Sequence, residues 1–260
     1  MAIINYCFRW LGTATSFAWF GIGSLVLGTL VLPLISVFVR NPERRRLWAR
    51  SVVGAAMKAF VGYMRCVGVL RYEIRGLENV KPDQGYLIIA NHPSLIDVAF
   101  LLAKFPMADC VIKDRLLHNP FTRHLLHAAD YISNTDPGAL IDQSIARLNE
   151  GRSLILFPEG SRTMPGESLA FKAGAAAIAV RSNCLCLPVL IKCDPTTLTK
   201  SDPWYRVPAR KVHFIVAIQP EILPRDILGG RTDERHNIRF FNRFLESYFE
   251  SQLHELAQSS

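Results

Sequence analysis

The chain has 260 residues, half of them apolar, and a formal net charge of +8 at pH 7. That length accommodates one α/β domain of ordinary size with a core of its own. A basic excess on so apolar a chain predicts either nucleic acid or an anionic membrane surface as partner. The apolar N-terminus favours the second, so we expect a membrane with anionic lipids and no nucleic acid.

The N-terminal segment is predicted to be embedded in the membrane. No residue from Trp10 to Val39 is charged. As a helix, residues 17–39 would extend ~35 Å, whereas a bilayer core is ~30 Å thick. The apolar region is too long for a cleaved signal peptide, and no basic region followed by a cleavage site accompanies it. The segment either spans the bilayer or bends near Gly28 or Pro33 and re-enters.

The charges that flank this segment predict its orientation. Arg9 alone precedes it, whereas five arginines follow it within residues 40–50. The positive-inside rule therefore predicts that the large C-terminal part lies on the cytoplasmic face, at the inner membrane if the protein is bacterial. The arginines begin a helix predicted over residues 43–67. Its apolar stripe fits either a helix at headgroup level or an ordinary core-facing helix. We expect an anchor with an amphipathic helix over 1–69 and an α/β domain over 70–260.

Strand and helix patterns alternate through the rest of the chain. The predicted strands cover residues 71–75, 86–90, 109–113, 131–133, 153–157, 184–191 and 211–218, and the helices 93–104, 114–128, 138–149, 172–182 and 233–257. This alternation predicts an α/β fold with a mostly parallel sheet flanked by helices. Polar residues at the strand ends would then lie along one rim, where such folds place their chemistry.

The six cysteines include no Cys-x-x-Cys pair. Cys184 and Cys186 would lie on one face of a strand, and buried free thiols in a reducing compartment account best for the set. No His-Glu-x-x-His or comparable ligand spacing occurs, so we expect no metal site.

The stretch Asn-His-Pro-Ser-Leu-Ile-Asp, residues 91–97, follows the buried strand predicted over 86–90. Pro93 suits the first position of a helix, which would make His92 the cap residue outside the helical spiral. Asp97 can then reach one imidazole nitrogen and leave the other free to accept a proton. A capping histidine with an unrelated helix aspartate would have the same spacing, so the pair alone is a weak signal.

A second polar turn, Phe-Pro-Glu-Gly-Ser-Arg-Thr at residues 157–163, follows the strand predicted over 153–157. Arg162 is suited to bind a phosphate headgroup through two parallel hydrogen bonds. Glu159 either accepts a hydrogen bond from a substrate hydroxyl or holds Arg162 in place. A purely structural Glu–Arg pair at a turn is the alternative.

Together these blocks resemble the 1-acylglycerol-3-phosphate acyltransferase (lysophospholipid acyltransferase) family over roughly residues 70–220. Further similar blocks are Lys-Asp-Arg-Leu at 113–116, Phe-Lys-Ala-Gly-Ala at 171–175 and Cys-Leu-Pro-Val at 186–189. The resemblance implies that His92 and Asp97 are catalytic. It implies a substrate-binding set of Glu159, Gly160, Ser161, Arg162, Lys172, Lys113 and Arg115.

The implied reaction transfers a fatty acyl group from acyl-CoA or acyl carrier protein (ACP), as co-substrate, to the hydroxyl of a lysophospholipid. No cofactor is implied. His92 would remove the hydroxyl proton, and Asp97 would stabilise the imidazolium; no covalent acyl-enzyme is required. The family's default acceptor is 1-acylglycerol-3-phosphate, here called lysophosphatidate.

One departure leaves the acceptor open. Residues 131–137 read Tyr-Ile-Ser-Asn-Thr-Asp-Pro, without the arginine that the family usually has there. An acceptor lipid with an amino-acid or aromatic headgroup is therefore an alternative. A serine hydrolase or thioesterase is disfavoured because no Gly-x-Ser-x-Gly occurs. A non-catalytic membrane-binding protein would not need polar residues at successive strand ends.

Overall fold

A computed structural model describes residues 2–164, 166–230 and 232–258. Within them, seven strands form one sheet: β1 (Leu70–Arg75), β2 (Leu87–Ala90), β3 (Asp109–Ile112), β4 (Ile132–Ser133), β5 (Leu154–Leu156), β6 (Cys186–Asp194) and β7 (Val212–Ile218). Their spatial order is β1-β7-β6-β2-β5-β3-β4. Only β6 and β7 are antiparallel neighbours in this sheet of the described residues. The predicted mostly parallel sheet is confirmed.

Helices cover both faces of the sheet. They are α1 (Ala2–Val26), α2 (Leu32–Phe38), α3 (Pro42–Cys66), α4 (Asp97–Lys104), α5 (Arg123–Ala129), α6 (Pro137–Asn149), α7 (Gly174–Ser182), α8 (Pro224–Leu228) and α9 (Glu234–Gln258). Ile88 of β2 packs into the core under α3 and α4. Its neighbours Leu87 and Ile89 pack into the opposite core under α7 and α9. This alternation explains why β2 is apolar at every position.

The N-terminal helices expose apolar side chains, whereas most of the residues that they bury fully are small or polar. A π-helical turn over Leu27–Val31 joins α1 to α2, and Ile4–Phe38 is long and apolar enough to cross a membrane, with mean hydropathy 2.1. Ser16 and Ser24 are buried against the protein, whereas Phe38 is 77% exposed. Small residues permit close helix packing, and the outward apolar surface is typical of membrane-associated proteins. The predicted apolar helical segment is thus present.

Helix α3 faces the core. The Asn41 side chain accepts hydrogen bonds from the amides of Glu43 and Arg44 and so caps its N-terminus. The face that includes Val53 and Phe60 is buried. Of the two interpretations of residues 43–67, the core-facing helix is therefore correct for this face. The division at residue 69 stays a prediction, since α3 shares its core with the sheet.

Three other expectations need correction. The helix predicted over 114–128 is a 3-10 turn (Asp114–Leu116) followed by α5, because Pro120 cannot continue a helix. Cys184 precedes β6 and does not lie in it. Among the described residues all six cysteines are free, but Cys7 and Cys66 are exposed rather than buried.

Arg50 connects α3 to the rest of the domain. Its Nε donates to Ala129 O at 2.9 Å, its Nη1 to Met107 O at 2.9 Å, and its Nη2 to the Asp109 carboxylate. Arg50 and Asp109 are both buried. Arg152 also donates to Asp109, at 2.7 Å.

We expect Arg50→Met to lower the free energy of unfolding by about 3 kcal/mol, because it leaves a buried carboxylate and two carbonyls without this partner. Chemical or thermal unfolding in detergent measures the change. Lys58→Met, on the exposed side of the same helix, is the control and should change stability by less than about 0.5 kcal/mol. An equal, small effect of both would contradict a structural role for Arg50.

Candidate active site

The polar turns meet at the carboxyl ends of neighbouring parallel strands. β2 is parallel to β5, so residues 91–92 and 157–160 leave the sheet at the same rim. They border a cavity of about 200 Å³. Its lining includes His92, Leu95, Val98, Cys110, Val111, Ile112, Lys113, Arg115, Leu116, Asn134, Phe157, Gly160 and Arg162.

Asn91 fixes the end of β2. Its Nδ2 donates to Ile191 O at 2.8 Å, and its Oδ1 accepts from Ile191 N at 2.7 Å. The side-chain amide thereby continues the pairing of β2 with β6 where the main chain leaves the sheet. Sequence reasoning assigned Asn91 no role of its own. The available signal was an amide side chain, which has both a donor and an acceptor, at a strand end beside His92.

His92 and Asp97 are in direct contact. His92 Nδ1 lies 2.9 Å from Asp97 Oδ2, which also accepts a hydrogen bond from Ser94 N at 2.7 Å. The expectation that the helix begins at Pro93, with His92 as its cap, was wrong. The helix begins at Asp97, and residues 93–96 form a turn that the carboxylate closes. His92 does lie outside the helical spiral, and this permits the contact.

Burial controls the electrostatics of the pair. Asp97 is fully buried, and burial raises the pKa of its carboxyl, while the hydrogen bond from His92 opposes that rise. The His92 side chain is 19% exposed and borders the cavity. Within the described chain its Nε2 makes no hydrogen bond, and its ring stacks on Phe157 with centroids 4.2 Å apart. The free nitrogen is thus available for proton transfer.

Glu159 supports the main chain of His92. One carboxylate oxygen accepts from His92 N at 2.8 Å, and the other contacts the Thr163 hydroxyl. Thr163 N in turn donates to His92 O at 3.2 Å. Burial raises the pKa of Glu159. The structure therefore places Glu159 against the histidine turn and not, as the pairing hypothesis expected, against Arg162.

Arg162 borders the cavity and also binds the connection between β6 and β7, residues 195–211, which we call the strap. Its Nη1 donates to Leu198 O at 2.7 Å and to Thr199 O at 2.9 Å. Leu95 N also donates to Leu198 O, at 3.1 Å. Arg162 is therefore positioned by the strap, and its remaining N–H groups are available to a ligand.

Other cations surround the cavity. Burial lowers the pKa of Lys113, and the nearby charges of Arg115, Arg162, Lys200 and Lys172 lower it further. Mutual repulsion of this kind is relieved when an anion binds. The sequence reasoning had not included Lys200.

Gly160 and Lys172 lie close together. Gly160 adopts φ +67°, a backbone conformation that favours glycine, and a Cβ there would lie 2.9 Å from Lys172 Nζ, so a larger residue would displace the end of the lysine side chain. Lys172 precedes α7, which begins at Gly174 and not at residue 172. Ser161 is half-buried and is not part of the cavity lining. The described residues contain no group of three or more His, Cys, Asp or Glu side chains that could hold a metal ion.

A second, apolar cavity of about 220 Å³ adjoins the first. Five residues line both: Leu95, Val98, Cys110, Ile112 and Leu116. Phe17 and Phe20 of α1 and Met57 of α3 form part of its wall. The combined space has a histidine and cations at one end and hydrocarbon side chains at the other.

Comparison with known proteins gives concordant matches. A family model described as Acyltransferase matches residues 71–192. The 1-acyl-sn-glycerol-3-phosphate acyltransferase of Pseudomonas aeruginosa is 30% identical over 194 residues, 72% of this chain and 70% of that protein. The 1-acyl-sn-glycerol-3-phosphate acyltransferase alpha of Mus musculus is 24% identical over 223 residues, 82% of this chain and 75% of that protein.

Among solved structures, the 1-acyl-sn-glycerophosphate (LPA) acyltransferase PlsC from Thermotoga maritima matches 99% of this chain and 98% of its own. The TM-score is 0.72 at 21% sequence identity, which shows a shared fold.

Asp97→Asn should slow turnover at this site by at least about 10²-fold, because an amide can stabilise the wrong histidine tautomer. The raised pKa also predicts a stability effect. The protonated Asp97 carboxyl stabilises the folded state fully when the pH is below its ordinary pKa of 3.8. This stabilisation is lost as the pH rises through the higher pKa of the folded state. The variant should therefore gain stability relative to wild type over that interval.

Melting temperatures across roughly pH 3 to 7 measure this difference. Asp142→Asn, an exposed position on α6, is the control and should follow wild type. If Asp97→Asn also follows wild type at every pH, the raised pKa is refuted.

Proposed function

Because this chain belongs to the 1-acyl-sn-glycerol-3-phosphate acyltransferase family of acyltransferases, we propose that it acylates lysophosphatidate in phospholipid synthesis. The observation that carries the proposal is the 2.9 Å contact between His92 Nδ1 and buried Asp97, with Nε2 unpaired beside the cavity. A histidine oriented in this way is suited to general-base catalysis.

The reaction needs one proton transfer to begin. His92 Nε2 accepts the proton of the acceptor hydroxyl as its oxygen attacks the thioester carbonyl. The carbon–sulfur bond then breaks, and the imidazolium returns the proton to the leaving thiolate. Asp97 stabilises the imidazolium between these steps, and its burial strengthens that interaction because the local dielectric is low. No covalent acyl-enzyme forms.

The cation cluster supports an anionic acceptor. Arg115 and Arg162 border the cavity together with Lys113. A phosphate monoester carries up to two negative charges, and arginine binds it through a planar fork. Charges from several elements thus compensate for the arginine absent from residues 131–137. A headgroup with an amino acid or an aromatic ring remains the competing acceptor class.

The apolar cavity is suited to a fatty acyl chain. Burial of each methylene is worth about 0.8 kcal/mol, so a chain that extends from the thioester carbon into this cavity gains affinity with length. The chain would lie between the sheet and the N-terminal helices. The acyl donor is proposed to be acyl-CoA or acyl-ACP.

We infer membrane attachment from α1 and α2, because the exposed side chains of these helices are mostly apolar. Their outward apolar side chains would contact lipid, and the arginines at residues 40–50 would remain on the cytoplasmic face. Both substrates are amphiphilic, so a site beside these helices receives them from the bilayer.

His92→Ala should reduce acyl transfer by more than about 10²-fold, since general-base catalysis is worth roughly 10² to 10⁴. The assay measures labelled phosphatidate formed from lysophosphatidate with acyl-CoA or acyl-ACP in purified membranes. His254→Ala, on the exposed part of α9, is the matched control and should be fully active. A rate above about a tenth of wild type would refute His92 as the base.

Arg162→Lys retains the charge but loses the planar fork. It should raise the apparent KM for lysophosphatidate about ten- to hundredfold, in line with ~1.5–3 kcal/mol for a charged contact, and leave the donor KM unchanged. Arg181→Lys on α7 is the control.

The same assay with a panel of lysolipids tests the acceptor class. A neutral acceptor should be insensitive to the Arg162 change. If a lipid with an amino-acid or aromatic headgroup has a higher kcat/KM than lysophosphatidate, the phosphate assignment is wrong.

A further inference from the structure

The strap has two exposed aromatic residues at its outermost part. Trp204 is 46% and Tyr205 is 54% exposed, and their rings pack edge to face with centroids 5.8 Å apart. Large exposed aromatic side chains side by side are costly in water. Trp and Tyr are, however, enriched at the membrane–water interface, because each combines an apolar body with a polar tip.

This aromatic pair packs against α1 at Phe17, which is half-buried and is followed in the chain by the exposed residues Ala18 and Trp19. The Trp204 ring lies 6.0 Å from the Phe17 ring of α1. Arg9 of α1 donates to Ala209 O at 2.8 Å and to Pro208 O at 3.3 Å, so the strap is fixed to the helix at a second point. A lipid surface that contacts α1 therefore extends to the strap.

The charge of the strap complements anionic lipid. Residues 195–211 contain four basic side chains and one acidic side chain, Asp202. Arg206 and Arg210 are 72% and 73% exposed, although each also contacts a carboxylate, Asp202 at 3.1 Å and Asp194 at 3.4 Å respectively. Basic side chains beside interfacial aromatic residues are attracted to anionic headgroups near the surface.

The other end of the strap belongs to the cavity. Leu198 and Thr199 accept the hydrogen bonds of Arg162, and Lys200 follows them directly. Only a few residues therefore separate the exposed aromatic pair from the cations at the cavity.

We propose that the strap is a second membrane contact, in which Trp204 and Tyr205 enter the same lipid monolayer as α1 and hold the cavity mouth at headgroup level. This proposal depends on the proposed function in one respect, namely that the active site receives its lysolipid acceptor from the membrane. The contact explains how Lys200 and Arg162 would meet a headgroup without the lysolipid leaving the bilayer.

Fluorescence quenching by brominated lipid tests the contact without an activity assay. Trp10, Trp19 and Trp48 are replaced by phenylalanine, which leaves Trp204 as the only tryptophan of the full chain. The protein is reconstituted in vesicles of phosphatidylglycerol and phosphatidylcholine, with bromine on the acyl chains either near the headgroup or near the methyl end. Circular dichroism verifies folding.

Trp204 should be quenched, and more strongly by bromine near the headgroup. The control carries Trp204→Phe and Leu77→Trp, because Leu77 is 44% exposed beyond the opposite rim of the sheet. It should not be quenched. Absence of quenching at Trp204 would overturn the proposal. A Trp204 signal that responds to acyl-ACP but not to brominated lipid would identify a protein-docking surface instead, and would overturn it equally.

A kinetic measurement provides a second check. The double variant Trp204→Ala and Tyr205→Ala should raise the KM for vesicle-embedded lysophosphatidate about tenfold, equivalent to ~1.4 kcal/mol. For a short-chain acceptor dissolved in water, the KM of the double variant should equal the KM of the unsubstituted protein. Equal KM increases for both acceptors would indicate a local structural role and would refute the membrane contact.

Discussion

The hydrogen bond between His92 and Asp97 imposes the strictest requirement on this structure. A fully buried carboxylate is costly unless it is paired, so the surrounding chain must hold both partners accurately. Asn91 fixes the start of the turn to β6, and Glu159 binds the His92 amide from β5. Three parallel strands thus determine the position of one imidazole ring. The sheet functions as a rigid support for that ring.

The need to hold His92 and Asp97 accurately also explains why the polar side chains around them have different roles. Glu159 has its two oxygens in contact with protein groups, which suits a supporting residue more than a reacting one. Arg162 is shared between the strap and the cavity, so the proposed acceptor recognition and the position of the strap would depend on each other. Positive charge at the cavity comes from several chain segments. Loss of one arginine in a motif therefore need not remove phosphate recognition.

The N-terminal helices pack against the protein core on one side and expose apolar side chains on the other. Phe20 and Leu27 pack against the core, while Ile22 is 63% exposed. Since α1 also forms part of the wall of the apolar cavity, a helix that is proposed to contact lipid helps to enclose the space proposed for the acyl chain. Under the proposed function, membrane attachment and substrate access would be properties of one structural unit.

The sequence by itself determined the strands, the parallel sheet, the long apolar helix and the approach of Asp97 to His92. These features depend on periodicity and on partners five or fewer residues apart, which local chain geometry controls. Only the tertiary structure decided that Asn91 pairs with Ile191, 100 residues away, and that Arg162 binds the strap, 36 residues away. It also decided that Lys200 joins the cations at the cavity. Those outcomes depend on contacts between segments distant in sequence, and a local pattern contains no information about which distant segment will pack against it.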